Sequence, residues 1–210
     1  RDDLSPYDFS ARTDPQIAHM VLGDAGEDRQ EIESRLPRLW KLYLGMLERN
    51  ATPERVRVMP GIPDLVAALR EHEEVPLALL TGNIERGARL KLGGANLNDY
   101  FAFGAFGSDS AGPTELPPIA VQRASTHLGM HFAGSDVVII GDSIYDVRCG
   151  VPYNATTIAV ASGKTPADVL RAENPTFFFD DASDVRAVTD AIVANPQSRD
   201  GTDTFPLTRS

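Results

Sequence analysis

Residues 137–146 read Val-Val-Ile-Ile-Gly-Asp-Ser-Ile-Tyr-Asp. Four β-branched aliphatic residues in a row crowd the turns of a helix and suit a strand buried on both faces. Gly141 breaks the run, and Asp142-Ser143 offers a helix start. That helix runs to Cys149 and stops at Gly150. Asp142 and Asp146 stand four residues apart and bracket the first helical turn, so both can face the end of the strand. Paired carboxylates at such a mouth suit Mg²⁺, a hard ion held by one or two carboxylates plus water and phosphate. The same residues also suit capping, with Asp142 or Ser143 as N-cap and Asp146 stabilised by the helix dipole.

The pattern repeats outward from this stretch. Short apolar runs at 75–80, 100–106, 156–160 and 176–179 read as strands. Helical periodicity predicts helices over 62–70, 84–92, 116–128, 166–171 and 184–193. Strands of this kind alternating with helices imply a parallel sheet covered on both faces. Before residue 58 only helix signals occur. Asp14-Pro15 opens one helix, with Ile17, Met20 and Val21 behind it. A longer one, over 27–50, carries Ile32, Leu36, Leu39, Trp40, Tyr43, Leu44 and Leu47 at helical spacing. The expected division is a helical unit over 1–58, an α/β unit over 59–194 and a polar tail over 195–210, expected to be flexible.

Composition sets the outer bounds. The chain has 210 residues and a formal net charge of −10. That balance repels a phosphate backbone, so nucleic acid is not an expected partner. One cysteine, Cys149, excludes a disulfide framework and reads as a small packing residue. No apolar run has membrane-spanning length and no secretory signal opens the chain, so no membrane partner and a cytoplasmic location are expected. The four histidines show no ligand spacing, and Trp40 reads as core.

A second strand end carries polar residues in a useful order. After the 75–80 run comes Thr81-Gly82-Asn83. A hydroxyl, a glycine and a helix N-terminus can hold one oxyanion, although Thr81 also suits a plain cap. Apolar strand–Thr-Gly-Asn, then apolar strand–Gly-Asp-Ser-x-x-Asp, resembles the haloacid dehalogenase-like hydrolase superfamily. The phosphoglycolate-phosphatase-like branch is the most similar. Met59-Pro60-Gly61-Ile62-Pro63 resembles its return from cap to core, and Arg12-Thr13-Asp14 the start of its helical cap. The resemblance implies a Rossmann-like parallel core with a small helical cap. It implies Mg²⁺-dependent hydrolysis of a small phosphate monoester, such as phosphoglycolate, through an aspartyl-phosphate. Thr81, Gly82 and Asn83 would bind phosphate. Asp142 would ligate Mg²⁺, and Asp146 would ligate it or orient its water. Arg12, Thr13 and Asp14 would face the substrate from the cap. Nothing in the sequence addresses oligomeric state.

Two departures from the family pattern stand out. No apolar strand is followed by the nucleophile motif Asp-x-Asp-Gly-Thr. Asp180-Asp181-Ala182 follows a strand but has Ala182 at the second acid, Asp142 has Ile144 there, and Asp200-Gly201-Thr202 follows no strand. In the family that strand lies between those corresponding to 75–80 and 137–140. Its loss would leave backbone groups unpaired, at about 1–3 kcal/mol each. The expectation is therefore a truncated form of a longer protein, with the nucleophile upstream of residue 1 and the chain alone inactive. The second departure is the missing Lys or Arg before residue 116, where Ser108 to Glu115 holds no base. Lys164 is the candidate substitute, with Arg12 and Arg86 behind it. Two other functions remain: an inactive family member that binds a phosphorylated ligand or partner, and a haloacid dehalogenase. The Asp142/Asp146 pair argues against the dehalogenase, which needs no Mg²⁺. The absence of Gly-x-Gly-x-x-Gly argues against a dinucleotide site.

Overall fold

A computed structural model describes residues 7, 9, 12–110 and 112–194 of the chain. The expected tail at 195–210 lies outside them. The chain opens with two helices, α1 (Asp14–Asp24) and α2 (Arg29–Asn50), followed by α3 (Ile62–Arg70). Strands and helices then alternate: β1 (Ala78–Thr81), α4 (Glu85–Gly94), β2 (Phe103–Phe106), α5 (Leu116–Leu128) and β3 (Val138–Gly141). The chain continues through α6 (Ile144–Gly150), β4 (Thr156–Val160), α7 (Ala167–Ala172), β5 (Phe177–Phe179) and α8 (Val185–Ala194). Among the described residues no helix is long and apolar enough to cross a membrane.

All pairings are parallel, as the alternation requires. β1 pairs with β2, with Thr81 opposite Phe106. β3 pairs with β4, with Gly141 opposite Ala159, and β4 pairs with β5. Among the described residues the strands form two sheets, because β1 and β3 do not pair with each other. The contrast between strands follows from this. β4 has neighbours on both sides and all five of its residues are buried. β3 has one neighbour, and its Ile140 is 38% exposed.

Each face of β4 is covered by helices. Ile158 and Val160 pack against Leu65 and Leu69 of α3 and Val188 and Ile192 of α8. Ala159, on the opposite face, packs against Val147 of α6 and Leu170 of α7. Burying each large aliphatic side chain contributes about 1.5–3 kcal/mol, so these two layers supply most of the local cohesion. Leu80 of β1 touches both the Ala105–Leu116–Ala120 cluster and the Ile139–Cys149–Ala155 cluster. That side chain bridges the two sheets without a backbone hydrogen bond between them.

Element ends differ from the sequence reading where local chemistry intervenes. The 75–80 run pairs only from Ala78 onward, because Pro76 has no N–H to give to a ladder. The 100–106 run begins pairing at Phe103, because Asn98–Tyr100 closes a 3₁₀ turn first. α2 starts at Arg29, where the Asp28 carboxylate accepts from Glu31 N at 2.8 Å. At Gly61 the backbone is left-handed (φ 77°), and a Cβ would lie 2.0 Å from the Ala182 carbonyl oxygen. Glycine is required there to bring the chain from the helical pair into the sheet region.

Candidate active site

Two strand–loop–helix corners meet across the divide between the sheets. The first is Thr81-Gly82-Asn83, between β1 and α4. The Thr81 hydroxyl accepts the Asn83 N–H at 3.2 Å. The Asn83 side chain donates to Asp14 Oδ1 at 3.1 Å and accepts from Lys91 Nζ at 3.0 Å. Asp14 Oδ2 accepts from Ile84 N at 2.8 Å. Asp14 therefore supplies the cap that Ile84, an apolar N-cap residue, cannot provide for α4. The backbone seals the same contact, with Asp14 N donating to the Gly82 carbonyl at 2.7 Å.

The glycines explain how three segments come this close. A Cβ on Gly82 would lie 2.7 Å from the Arg12 carbonyl oxygen, and one on Gly107 would lie 1.9 Å from the Gly82 carbonyl oxygen. Gly107, just after β2, was not singled out from the sequence. Its signal is its place at a strand end beside the others. Thr13 is fully buried and caps α1: its hydroxyl accepts from Gln16 N at 3.3 Å, and its N–H donates to Gln16 Oε1 at 3.1 Å. Of the three residues read as facing substrate, Thr13 builds a helix start and Asp14 clamps the Thr81 loop. Arg12 is exposed and lines the space in front of that loop.

The second corner is Gly141 to Asp146, between β3 and α6. Ser143 is the N-cap of α6 and forms a reciprocal box with Asp146. Asp146 Oδ2 accepts from Ser143 N at 2.9 Å and from Ser143 Oγ at 2.7 Å. The capping reading of this stretch is thus realised in Ser143, which leaves Asp142 uninvolved in the cap. A Cβ on Gly141 would meet the Asp146 carboxyl carbon at 2.1 Å, and one on Gly163 would meet Asp142 Oδ2 at 1.8 Å. Both carboxylates therefore sit in notches that only glycine leaves open. Burial pushes the Asp146 pKa upward, the Ser143 hydrogen bonds pull it partly back, and the Asp142 charge pushes it up again.

Two acids lie together, Asp146 half-buried and Asp142 exposed, and neither forms an ion pair among the described residues. Electrostatics favours a cation at such a place, and the donor set is the hard oxygen type that Mg²⁺ accepts. Among the described residues no group of three or more His, Cys, Asp and Glu side chains surrounds the pair. Water and phosphate oxygens would have to complete the shell, as is usual for Mg²⁺.

A small pocket of about 80 Å³ brings Arg12, Thr81 and Gly82 together with Ser143, Tyr145 and Asp146. It has room for about two or three waters. Cys149 also lines it, but burial and the Asp146 charge push that thiol up to about 12. It stays protonated and packs, as its sequence position suggests.

The segment before α5 holds no cation. Glu115 is hydrogen-bonded to the Ser110 hydroxyl, and Arg123 is spent on Asp109 in a two-pronged contact at 2.6 and 2.8 Å. Of the candidate substitutes, Arg86 is turned to Glu48, and Lys164 is exposed beside Gly163, the neighbour of Asp142. Arg12 is the one that lines the pocket. It also lines a second, much larger cleft of about 1340 Å³ between α1–α2 and the α4 side of the α/β region.

Comparison with known proteins places this arrangement. A family model described as haloacid dehalogenase-like hydrolase matches residues 11–150, and one described as HAD-hydrolase-like matches residues 116–185. A hydrolase from Pseudomonas syringae is 19% identical, with 87% of this chain and 80% of that chain covered and a TM-score of 0.64. A predicted phosphoglycolate phosphatase from Haemophilus somnus is 18% identical, covering 83% and 75%, with a TM-score of 0.59. A β-phosphoglucomutase from Clostridium difficile is 12% identical, covering 86% and 77%, with a TM-score of 0.60. At these identities the likeness is one of fold. No curated protein matches the chain.

Proposed function

The chain belongs to the haloacid dehalogenase-like hydrolase family, and from that premise we propose that it serves Mg²⁺-dependent hydrolysis of a phosphate monoester. The supporting observation is the pocket between β1 and β3, where the Thr81 loop and Asp146 face the same 80 Å³ space from different sheets. The Thr81 hydroxyl and the Gly82 N–H are the phosphate donors, and the Asn83 N–H helps by holding the Thr81 oxygen in place. Asp142, outside the Ser143 cap, is the metal ligand, and Asp146 holds the loop and supports the ion. Mg²⁺, when bound, would neutralise phosphoryl charge. Arg12 supplies the cation that the segment before α5 lacks. The helical pair α1–α2 acts as the cap.

The unpaired edges of β1 and β3 are the place for a further parallel strand, from outside the described residues, that carries the nucleophilic aspartate. A second reading is favoured by Glu115 standing where a base is expected: a family member that binds a phosphorylated ligand without turnover. The test is an assay of p-nitrophenyl phosphate with the chain extended by its native upstream sequence, with Mg²⁺ and with EDTA. Hydrolysis abolished by EDTA supports the phosphatase. Phosphate binding with no turnover supports the binder.

A further inference from the structure

The large cleft is more than a phosphate site needs. At about 1340 Å³ it exceeds the usual 300–1,000 Å³ of small-molecule pockets. One wall is α2, where Ile32, Leu36, Trp40 and Leu44 recur every four residues along the cleft. The sequence reading of Trp40 as core is corrected here: its ring is half-buried, meets Tyr43 edge-on at 6.4 Å and lines open space. The opposite wall includes Ile84 and Gly107, at the Thr81 corner. Arg12 lines both the cleft and the small pocket, so the two adjoin at that side chain.

The charges along the cleft are mostly spent on the protein itself. Arg86 is held by Glu48, and Arg89 by the Phe101 carbonyl at 2.5 Å and by Glu85. His19 contacts Glu33 at 2.9 Å, and Asp109 holds Arg123. A carboxylate such as that of phosphoglycolate finds few uncommitted cations along this wall, and a two-carbon group would leave most of the volume wet. The half-buried Leu36, Trp40 and Leu44 would then stay partly hydrated, while Ile32 is already buried by the protein.

Resting on the phosphatase reading, we propose that the organic part of the substrate is a bulky apolar group, seated along α2 with Trp40 as its main contact. Trp40 would thus set specificity through binding remote from phosphorus. Aromatic rings are well suited to this, combining large area with few rotors.

Trp40 is the only tryptophan in the chain, so its fluorescence reports the cleft directly. The test titrates the full chain, with Mg²⁺, against 1-naphthyl phosphate, phosphoglycolate, inorganic phosphate and 1-naphthol. Fluorescence and calorimetry are both recorded. The expected result is that 1-naphthyl phosphate perturbs Trp40 and binds at least about tenfold tighter than phosphoglycolate. Trp40→Ala, and separately Leu36→Gln, should weaken the naphthyl ester about tenfold by calorimetry and leave inorganic phosphate unchanged. The second variant covers the case in which loss of the indole unsettles α2. Equal binding of naphthyl phosphate and phosphoglycolate, or no effect of either variant, overturns the proposal and leaves the phosphate site standing. If 1-naphthol binds as well as its phosphate, and Thr81→Val changes neither, the phosphatase reading itself fails.

Discussion

The two corners that meet at the pocket are built in opposite ways. At the Thr81 corner the polar side chains are satisfied from within. Asp14 takes the free N–H of α4 and the Asn83 amide, Lys91 takes the Asn83 oxygen, and three backbone segments close over glycines. At the Asp142 corner a half-buried carboxylate lies beside an exposed one with no basic partner among the described residues. The first corner is set in shape by the protein alone. The second is electrostatically unfinished, which is the ground for proposing a cation there.

The largest expected break of this contrast is Gly107→Val. Its Cβ would collide with backbone, the Gly82 carbonyl oxygen, which no rotamer change relieves. A loss of about 3 kcal/mol in urea unfolding is expected, with or without Mg²⁺. Asp14→Ala comes next. It strips the cap from Ile84 N and unpairs the Asn83 amide, for a loss of about 2 kcal/mol. This loss too should be independent of Mg²⁺, and a Mg²⁺-dependent loss would dissolve the distinction between the corners.

Asp146→Asn is the smallest in stability and the sharpest in kind. The folded-state pKa of Asp146 is raised, so the folded protein holds that proton more tightly than the unfolded chain does. Its contribution is fully present below the unfolded carboxylate value and is lost as pH rises through the folded one. Without Mg²⁺, the thermal midpoint of Asp146→Asn relative to the parent should therefore rise as pH rises from the acid range toward neutrality. Mg²⁺ favours the ionised pair and should reverse the order, stabilising the parent and not the variant. An identical pH profile for the two proteins would show that the carboxylate is not strained.

Much of this was legible in the chain. α3 and α5 fall where periodicity puts them, at 62–70 and 116–128, because their apolar stripes and their ends at Arg70 and Gly129 are local signals. The strand ends carrying Thr81 and Gly141-Asp142 were found for the same reason. The sequence also indicated that the strands at 75–80 and 137–140 would lack a neighbour, and β1 and β3 are indeed unpaired with each other. Less legible were residues whose meaning depends on distant company. Trp40 has the spacing of a core residue, and only the tertiary arrangement leaves its half-buried ring on the cleft. Asp14 reads as the first residue of a helix, yet its carboxylate works on another helix, at Ile84, 70 positions away.

The sequence by itself determined the alternation of parallel strands and helices, and the two polar strand ends. Hydrophobic period and the glycines and acids that interrupt it are properties of neighbouring residues. Tertiary structure alone decided that Asp14 satisfies one corner, that Asp142 and Asp146 have no basic partner among the described residues, and that Arg12 lines both the small pocket and the large cleft. Desolvation and Coulomb energy depend on distances through space, and those distances exist only once the chain has folded.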